Sequence, residues 1–445
     1  MNNVVELSVV NPDGSCLGTP LRFTAGRATV VPACLDAAEQ RLFAEADQKV
    51  RTAYQKIRHY AEGDTRPVSP NITRITTAGH TVTVTSDAHS IPAWSRRYFG
   101  PWWNATEHTG PLTGPVVAAD IDAAELSRLT RNALDRPHQT SPYAGTVMVH
   151  RRHSDGTVTA AQPGQDLAYH YEPAERRLRI VGGAPTPVAT AAARLARELL
   201  RSQLIADGWQ ILHASAAVKD GRAVLTLGGK GAGKSTTALL LARAGWRLLA
   251  NDRVFVRPTA DGGVQVLPWP AAAAIGLGLL DALGLYDGVR ARVLAGETLH
   301  PTQHQRVTDA LTSGTREPLW NEKGKELKPQ FFPDQIQTWL GAPLAADGTA
   351  AHILFPRITT AQDPAVTGEG RELTPDDFFT AGTEDRYPDI FGLAPASTEP
   401  HPAQRDDLTK LLSRLPRHGL TLGHDTATNT RLLQNLTNQR AEPQH

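Results

Sequence analysis

The chain has very few cysteines: Cys16 and Cys34 are the only two among 445 residues. So small a number provides neither a disulfide framework nor a cysteine metal cluster, and it favours a reducing compartment. A single bridge between the two stays open. Aromatic residues are also sparse at 6%, but 40% of the chain is hydrophobic. A chain of this length and composition can therefore bury the cores of two or three domains without covalent staples.

An excess of charge of one sign is also lacking. The formal net charge is +1, which gives no electrostatic footprint for nucleic acid or for an anionic membrane. The longest apolar region, Val266 to Leu285, is interrupted by Pro268, Pro270 and Asp281, so we expect a buried strand and turn there instead of a membrane span. The opening segment MNNVVELSVV has neither the basic region nor the long apolar stretch of a signal peptide. We therefore expect a cytoplasmic protein with no nucleic-acid or membrane partner; a homo-oligomer stays open.

Lysine is scarce, since arginine carries most of the positive charge and only nine residues are lysine. Five of the nine lie in two short segments: Lys230, Lys234, Lys323, Lys325 and Lys328. Where lysine is rare, clustering suggests that a compact ammonium is needed at a phosphate. The second segment, NEKGKELKPQ, is equally well read as a solvated charged loop.

A glycine-rich segment, GGKGAGKS, stands between an apolar strand predicted over Ala223 to Leu227 and a helix predicted over Thr236 to Ala244. Strand, glycine loop and helix in this order form the setting of a phosphate-binding loop, in which backbone N–H groups and the helix dipole hold phosphates. The predicted nucleotide-binding residues are Gly228, Gly229, Lys230, Gly231, Ala232, Gly233, Lys234, Ser235 and Thr236. Lys234, otherwise solvated, would reach the β/γ-phosphates, and the Ser235 hydroxyl would ligate Mg²⁺. The segment predicts a nucleoside triphosphate site, with ATP against GTP left open.

Two further residues stand at informative distances from this loop. Asp252 lies seventeen residues after Ser235, at the end of the next predicted strand, and His213 lies fifteen residues before Gly228. A carboxylate at that strand end can serve as a general base or as a metal ligand beside Ser235. Structural roles stay open for both residues: Asp252 as a carboxylate bonded to backbone N–H groups, and His213 as a core histidine whose ring is fully hydrogen-bonded.

At these residues the chain resembles the HPr kinase/phosphorylase superfamily. The matching segments are LHASAAV, GGKGAGKSTTALLLA, RAGWRLL and ANDRV, within Leu212 to Val256. The resemblance implies transfer of the ATP γ-phosphoryl group to a serine hydroxyl with Mg²⁺, and it implies catalytic roles for His213, Lys234 and Asp252. The chain also looks like HPr-kinase-like proteins of bacterial peptide natural-product pathways, some of which phosphorylate a serine of a precursor peptide.

Departures from the family pattern limit that resemblance. The family's acidic pair is here Asn251-Asp252, so one carboxylate is replaced by an amide that cannot take a proton. The family's Glu-Ile-Arg triplet corresponds to Ala273-Ala274-Ile275, which removes an acid and an arginine and argues against the bifunctional kinase/phosphorylase itself. Lys230 supplies an extra charge inside the loop.

The expected fold class is α/β, a P-loop HPr-kinase-like core with a mixed sheet behind an N-terminal α+β domain. The predicted domains are an N-terminal region over 1–200, a nucleotide-binding core over 201–358, an insertion or flexible segment over 359–405, and a C-terminal helix, strand and helix over 406–438. The last residues, from Gln439, are predicted to be disordered. The N-terminal region is expected to select the acceptor.

Two classes of function fit these observations. The first is an ATP- and Mg²⁺-dependent kinase acting on a hydroxyl of a peptide or small molecule. The second is a regulatory protein that binds a nucleotide without transferring phosphate, which the lost acid and triplet favour. An ABC-type or motor ATPase is disfavoured because no LSGGQ-like segment is present.

Overall fold

The structure is a computed structural model that describes residues 5–7, 21–24, 27–29, 71–135, 137–359, 362–379, 387–394 and 402–438. Cys16, Cys34 and the tail predicted from Gln439 lie outside the described residues. The chain divides into two compact units, 1–69 and 70–445. In the first unit the described strands form one antiparallel sheet in the order β1-β2-β3: β1 Val5–Leu7, β2 Leu21–Thr24 and β3 Arg27–Thr29.

The second unit contains two nine-stranded sheets. The strands of the first are β4 Asn71–Thr77, β5 His80–Ser86, β6 Thr106–Glu107, β7 Val116–Ile121, β8 Gln139–Tyr143, β9 Thr146–Arg152, β10 Val158–Gln162, β11 Leu167–Glu172 and β12 Arg177–Gly182. Their order is β6-β4-β5-β7-β12-β11-β10-β9-β8. Neighbouring strands pair antiparallel except β5 with β7 and β7 with β12, so the sheet is mixed.

Three helices belong to this part of the chain: α1 Ser90–Phe99, α2 Ala123–Leu134 and α3 Pro185–Ala206. The Asp122 side chain caps α2 by accepting from the N–H groups of Ala124 and Glu125. The sequence pattern predicts a helix over Asp122 to Leu134 and a hairpin over Asp166 to Gly182, and α2 and the β11–β12 pairing confirm both. The apolar stripe also predicts a helix over Thr190 to Ala206. The third helix begins five residues earlier, because proline is well placed in a first helical turn.

The second sheet carries the glycine-rich loop. Its strands are β13 Gln210–Leu212, β14 Ala214–Lys219, β15 Arg222–Leu227, β16 Arg247–Ala250, β17 Val254–Pro258, β18 Val264–Pro268, β23 Gly348–Ile358, β24 Ala365–Glu369 and β25 Arg417–Leu422. The main order is β13-β17-β18-β23-β15-β14-β16, with β25 pairing β23 and β24. Strand β15 runs parallel to β23, and β23 runs parallel to β25.

The β14–β15 hairpin turns at Asp220 and Gly221, which both have positive φ. An Asp-Gly pair between Gln210 to Lys219 and Arg222 to Leu227 predicts a hairpin, and positive φ at both residues is the conformation that such a turn requires, so the prediction is confirmed. The first arm is shorter than predicted, because β13 pairs with β17 and only β14 pairs with β15. Strand β13 ends at Leu212 and β14 begins at Ala214, yet four strands separate them in the order of the sheet. The sheet must therefore be strongly curled.

Short elements connect these strands. They are α4 Lys234–Arg243, α5 Leu277–Ala282, α6 Tyr286–Leu294, α7 Gln305–Ser313, α8 Pro333–Thr338, β19 Ala273–Ala274, β20 Leu319–Trp320, β21 Glu326–Leu327 and β22 Gln330–Phe331. The region from Val266 to Leu285, predicted as strand and turn, contains the end of β18, the short strand β19 and a turn at 283–284, but also the helix α5, which the prediction missed. In the described part of the chain, no helix has the length and apolar character needed to cross a bilayer.

The C-terminal part contains a 3₁₀ turn at Pro375–Asp377, α9 Pro402–Ser413 and α10 Thr426–Asn438. It confirms the predicted helix, strand and helix with slightly different ends. Within the region predicted as an insertion, β24 joins the sheet and Phe378 is buried in the core. Strand β24 therefore extends the second sheet, and Phe391 of the same region packs against Tyr169 of the first sheet.

Residues before and after position 200 share one hydrophobic core. The Trp103 indole N–H donates to the Pro268 carbonyl at 3.1 Å, and the Arg97 guanidinium pairs with Asp334 at 2.8 Å. The architecture is thus a mixed α/β unit with two large mixed sheets. The glycine-rich loop follows the C-terminal end of β15, an inner strand of the second sheet between β23 and β14.

Candidate nucleotide-binding site

The glycine-rich loop joins the end of β15 to the start of α4, as predicted. Gly228, Gly231 and Gly233 have φ of +149°, +82° and +107°, which L side chains rarely adopt. A Cβ added at Gly233 would lie 3.0 Å from the Ile358 side chain at the end of β23. Backbone conformation and close packing thus both require glycine at Gly233.

Lys234 and Ser235 are fixed by neighbouring strands. The Lys234 ammonium donates to the carbonyls of Gly228 (2.6 Å) and Gly229 (3.3 Å), and its own carbonyl accepts from Ser215 at 2.7 Å. The side chain is buried, with the residue 8% exposed, so the expectation that it is solvated was wrong. The Ser235 hydroxyl donates to the Asn251 carbonyl at 3.2 Å.

His213 and Asp252 lie together beside this loop. Their Nε2 and Oδ1 atoms are 3.2 Å apart. Antiparallel pairing explains the contact: the start of β14 lies against the ends of β15 and β16, with Ala214 opposite Leu227 and Ala216 opposite Ala250. His213 precedes β14 directly instead of lying within the hairpin arm.

The electrostatic surroundings keep Asp252 ionised. Burial acts to raise its pKa, but the hydrogen bond from His213 and the positive charges around it outweigh this, so the pKa of the carboxyl is lowered. Those charges include Arg253, whose Nε is 3.5 Å from Oδ2, and Lys234. The side chain is 50% exposed. Asp252 is therefore an accessible carboxylate at neutral pH.

The donor set suits Mg²⁺. Ser235 and Asp252 offer a hydroxyl and a carboxylate, the hard oxygen ligands that Mg²⁺ prefers, and Mg²⁺ is usually held by one or two such groups together with substrate phosphates. Within the described ranges, no group of three or more His, Cys, Asp and Glu side chains is placed to hold a metal without such help.

A segment that sequence reasoning did not connect with the site holds His213 in place. The His213 N–H donates to the Asp377 carbonyl at 2.8 Å, and the Phe379 N–H donates to the Ile211 carbonyl at 2.8 Å. The Asp377 carboxylate is itself bound by the Arg371 guanidinium, at 2.7 Å for one oxygen. No local pattern could reveal this, because the partners are more than 160 residues apart in the chain.

The second lysine group lies on the β20–β21 hairpin. Lys323 and Lys325 are exposed in its turn, where their N–H groups donate to the Asn321 side chain at 3.0 and 2.8 Å. Lys328 follows the hairpin and pairs with Glu326 at 3.0 Å. The hairpin packs beside Gly276 and α7, where Arg306 donates to the Trp320 carbonyl. A role at phosphate stays a prediction.

Comparison with protein-family models gives no match for this chain, and comparison with curated proteins gives none either. The site is therefore interpreted from its own residues.

Proposed function

We propose that the protein is an ATP- and Mg²⁺-dependent kinase with an HPr-kinase-like P-loop core, transferring the γ-phosphoryl group to a hydroxyl of a peptide or small molecule. The observation that carries the proposal is the His213–Asp252 pair at 3.2 Å, next to a glycine loop with Lys234 at its helix start. Phosphoryl transfer depends on positioning and charge neutralisation, and this edge of the sheet offers both.

Each residue has a distinct role in this proposal. Lys234 and the loop N–H groups bind the β- and γ-phosphates, and Ser235 with Asp252 would hold Mg²⁺, which supplies charge neutralisation when bound. Asp252 accepts the proton of the acceptor hydroxyl. The hydroxyl oxygen bonds to the γ-phosphorus at the same time, and the bond between the γ-phosphorus and the β–γ bridging oxygen breaks to release ADP. His213 orients the carboxylate, and the proton later passes to solvent.

Regulatory nucleotide binding is the second candidate. It is favoured by Asn251, which takes the place of an acid, and by Ala273 and Ile275, which place apolar side chains where the family's triplet has its Glu and its Arg. A protein of this kind would bind MgATP at the same loop and leave it intact.

Transfer of a γ-³²P label separates the two candidates. We expect labelled product when the protein is supplied with MgATP and with serine-bearing peptides or small hydroxyl compounds.

Lys234→Ala should weaken MgATP binding by about 1.5 to 3 kcal/mol in calorimetry, because a charge-assisted contact is lost. The matched control is Lys219→Ala at the far end of the β14–β15 hairpin, which should bind like the wild type.

Folding must be checked, since Lys234 also donates to two loop carbonyls. Tight MgATP binding with intact nucleotide and no labelled acceptor would favour the regulatory candidate. Equal affinity for MgATP in Lys234→Ala and wild type would show that the glycine-rich segment is not a phosphate-binding loop.

A further inference from the structure

A three-residue segment, Asp377 to Phe379, lies against the end of β13. The His213 N–H donates to the Asp377 carbonyl at 2.8 Å, the Phe379 N–H donates to the Ile211 carbonyl at 2.8 Å, and an antiparallel bridge lies between these two bonds. On its other side β13 pairs with β17. A strand of three residues frays easily at an unsupported end. The segment therefore fixes the backbone that carries the His213 ring.

An ion pair anchors this segment. The Arg371 guanidinium binds both oxygens of the Asp377 carboxylate, one of them at 2.7 Å, and the Thr374 N–H donates to the same carboxylate at 2.8 Å. Burial acts to raise the pKa of Asp377, but the bonds from Arg371 and Thr374 outweigh this, so the pKa is lowered and the pair persists at neutral pH. Because a two-point guanidinium–carboxylate contact is geometrically specific, it holds Asp377 in place beside His213.

The same segment contacts a second neighbour of Asp252. The central guanidinium carbon of Arg253 lies 4.4 Å from the centroid of the Phe379 ring and 5.5 Å from that of Trp269. A guanidinium over aromatic faces is attracted by the rings and oriented by them. Arg253 Nε is 3.5 Å from one oxygen of Asp252, and His213 Nε2 is 3.2 Å from the other. The two oxygens thus have separate neighbours, and the segment touches both neighbours.

The charged groups that face Asp252 come from three places. They are His213 before β14, Arg253 before β17, and Lys234 on α4. The Lys234 ammonium is held by carbonyls of its own loop, so its position does not depend on the 377–379 segment. The orientation of the carboxylate relative to the glycine-rich loop therefore depends on His213 and Arg253.

We propose that Asp377 and Phe379 are positioning residues of the candidate site: Asp377 holds the His213 backbone, Phe379 holds the Arg253 guanidinium, and together they keep the Asp252 carboxylate in one orientation. The consequence for phosphate transfer rests on the proposed kinase function, whereas the positioning itself needs no nucleotide. Because the segment acts on Asp252 and not on the glycine-rich loop, changes in it should lower kcat and leave the KM for MgATP close to the wild-type value.

The first test detects the tautomer of His213 in the full chain at neutral pH without nucleotide. Ring ¹⁵N signals, assigned with His213→Gln, should show a proton on Nε2 in the wild type, because that nitrogen lies against a carboxylate. Arg371→Leu removes the anchor of Asp377, so both tautomers should become populated, and Arg371→Lys should restore part of the Nε2 proton. Arg316→Leu breaks an equally exposed ion pair with Asp287 and should leave the wild-type signals.

The second test measures transfer of labelled phosphate. Phe379→Leu removes the ring beside Arg253 and should lower kcat roughly tenfold or more, since a small misplacement of reacting groups is enough for such a loss, with the KM for MgATP unchanged. Phe379→Tyr keeps the ring and should retain the wild-type kcat. The matched control is Phe391→Leu, which removes a ring that lies against Tyr169 and should leave kcat unchanged.

The two tests separate the positioning from the kinase function. A His213 tautomer that is the same in Arg371→Leu and wild type, or an Nε2 without a proton in the wild type, would overturn the proposal whether or not phosphate is transferred. Equal loss of kcat in Phe379→Leu and Phe391→Leu would overturn it as well, and this comparison decides the matter if Arg371→Leu does not fold. A changed tautomer in a protein that transfers no phosphate would support the positioning and count against the kinase.

Discussion

At the scale of single residues, the candidate chemistry depends on one carboxylate. Asp252 is the acidic side chain that the described structure places next to the loop, and its neighbour Asn251 contributes its carbonyl to Ser235. An amide side chain cannot accept a proton at neutral pH, so base catalysis at this strand end must come from Asp252.

Replacing Asp252 with Asn therefore gives a direct prediction. The substitution keeps the shape and removes the charge, so transfer of labelled phosphate should fall by roughly 10² or more, while Asn251→Ala should have a smaller effect. Asn251→Asp restores a second carboxylate and should preserve or raise turnover. Full transfer by Asp252→Asn would place the catalytic carboxylate elsewhere, and His213→Gln would then be the next variant to assay.

At the scale of elements, the β20–β21 hairpin is the part whose role is least fixed by contacts. Its turn exposes Lys323 and Lys325 around Gly324, which has a φ of +66°. A short glycine-containing turn of this kind can move, and its ammonium groups would gain most by closing over phosphates.

Limited trypsin digestion tests this closure. Cleavage after Lys323 and Lys325 should slow when a non-hydrolysable MgATP analogue is added, because a closed turn is less accessible. Lys219, exposed at the end of β14, provides an internal control whose cleavage rate should not change. Identical cleavage at all three lysines with and without saturating analogue would identify the hairpin as a plain solvated loop.

At the scale of the whole molecule, two buried histidines link stability to pH. Burial and the Arg97 charge lower the pKa of His300 to about 4, and burial with Arg222 and His418 lowers that of His352 to about 4. An unfolded chain protonates histidine near pH 6.5. Between those values the unfolded state binds more protons, so the free energy of unfolding falls as pH drops from about 6.5 to about 4.

The corresponding variant is His300→Gln combined with His352→Gln, which removes both ionisable rings. Urea unfolding at a series of pH values should show a shallower decline than the wild type, by up to roughly 3 kcal/mol for each histidine at the acid end. His424→Gln, at an exposed position, should keep the wild-type slope. An unchanged slope in the double variant would show that other groups control acid unfolding.

Local sequence signals determined the elements that depend on neighbouring residues. The Asp220-Gly221 turn, the cap at Asp122, strand β16 and the glycine loop before α4 all follow from backbone preferences within a few positions. The elements between β18 and β23 were mostly missed, since short helices such as α5 carry too few residues for a clear periodic pattern.

The candidate site was only partly accessible from the sequence. Spacing placed His213 and Asp252 near the loop, but only the tertiary structure decided that their side chains meet, that Lys234 is buried over its own loop, and that Asp377 holds the His213 backbone. The sequence by itself determined a glycine-rich loop between a strand and a helix, because that motif is a local backbone conformation. The surroundings of His213 were decided by tertiary structure alone, since Asp252 and Asp377 reach it from positions 39 and 164 residues further along the chain.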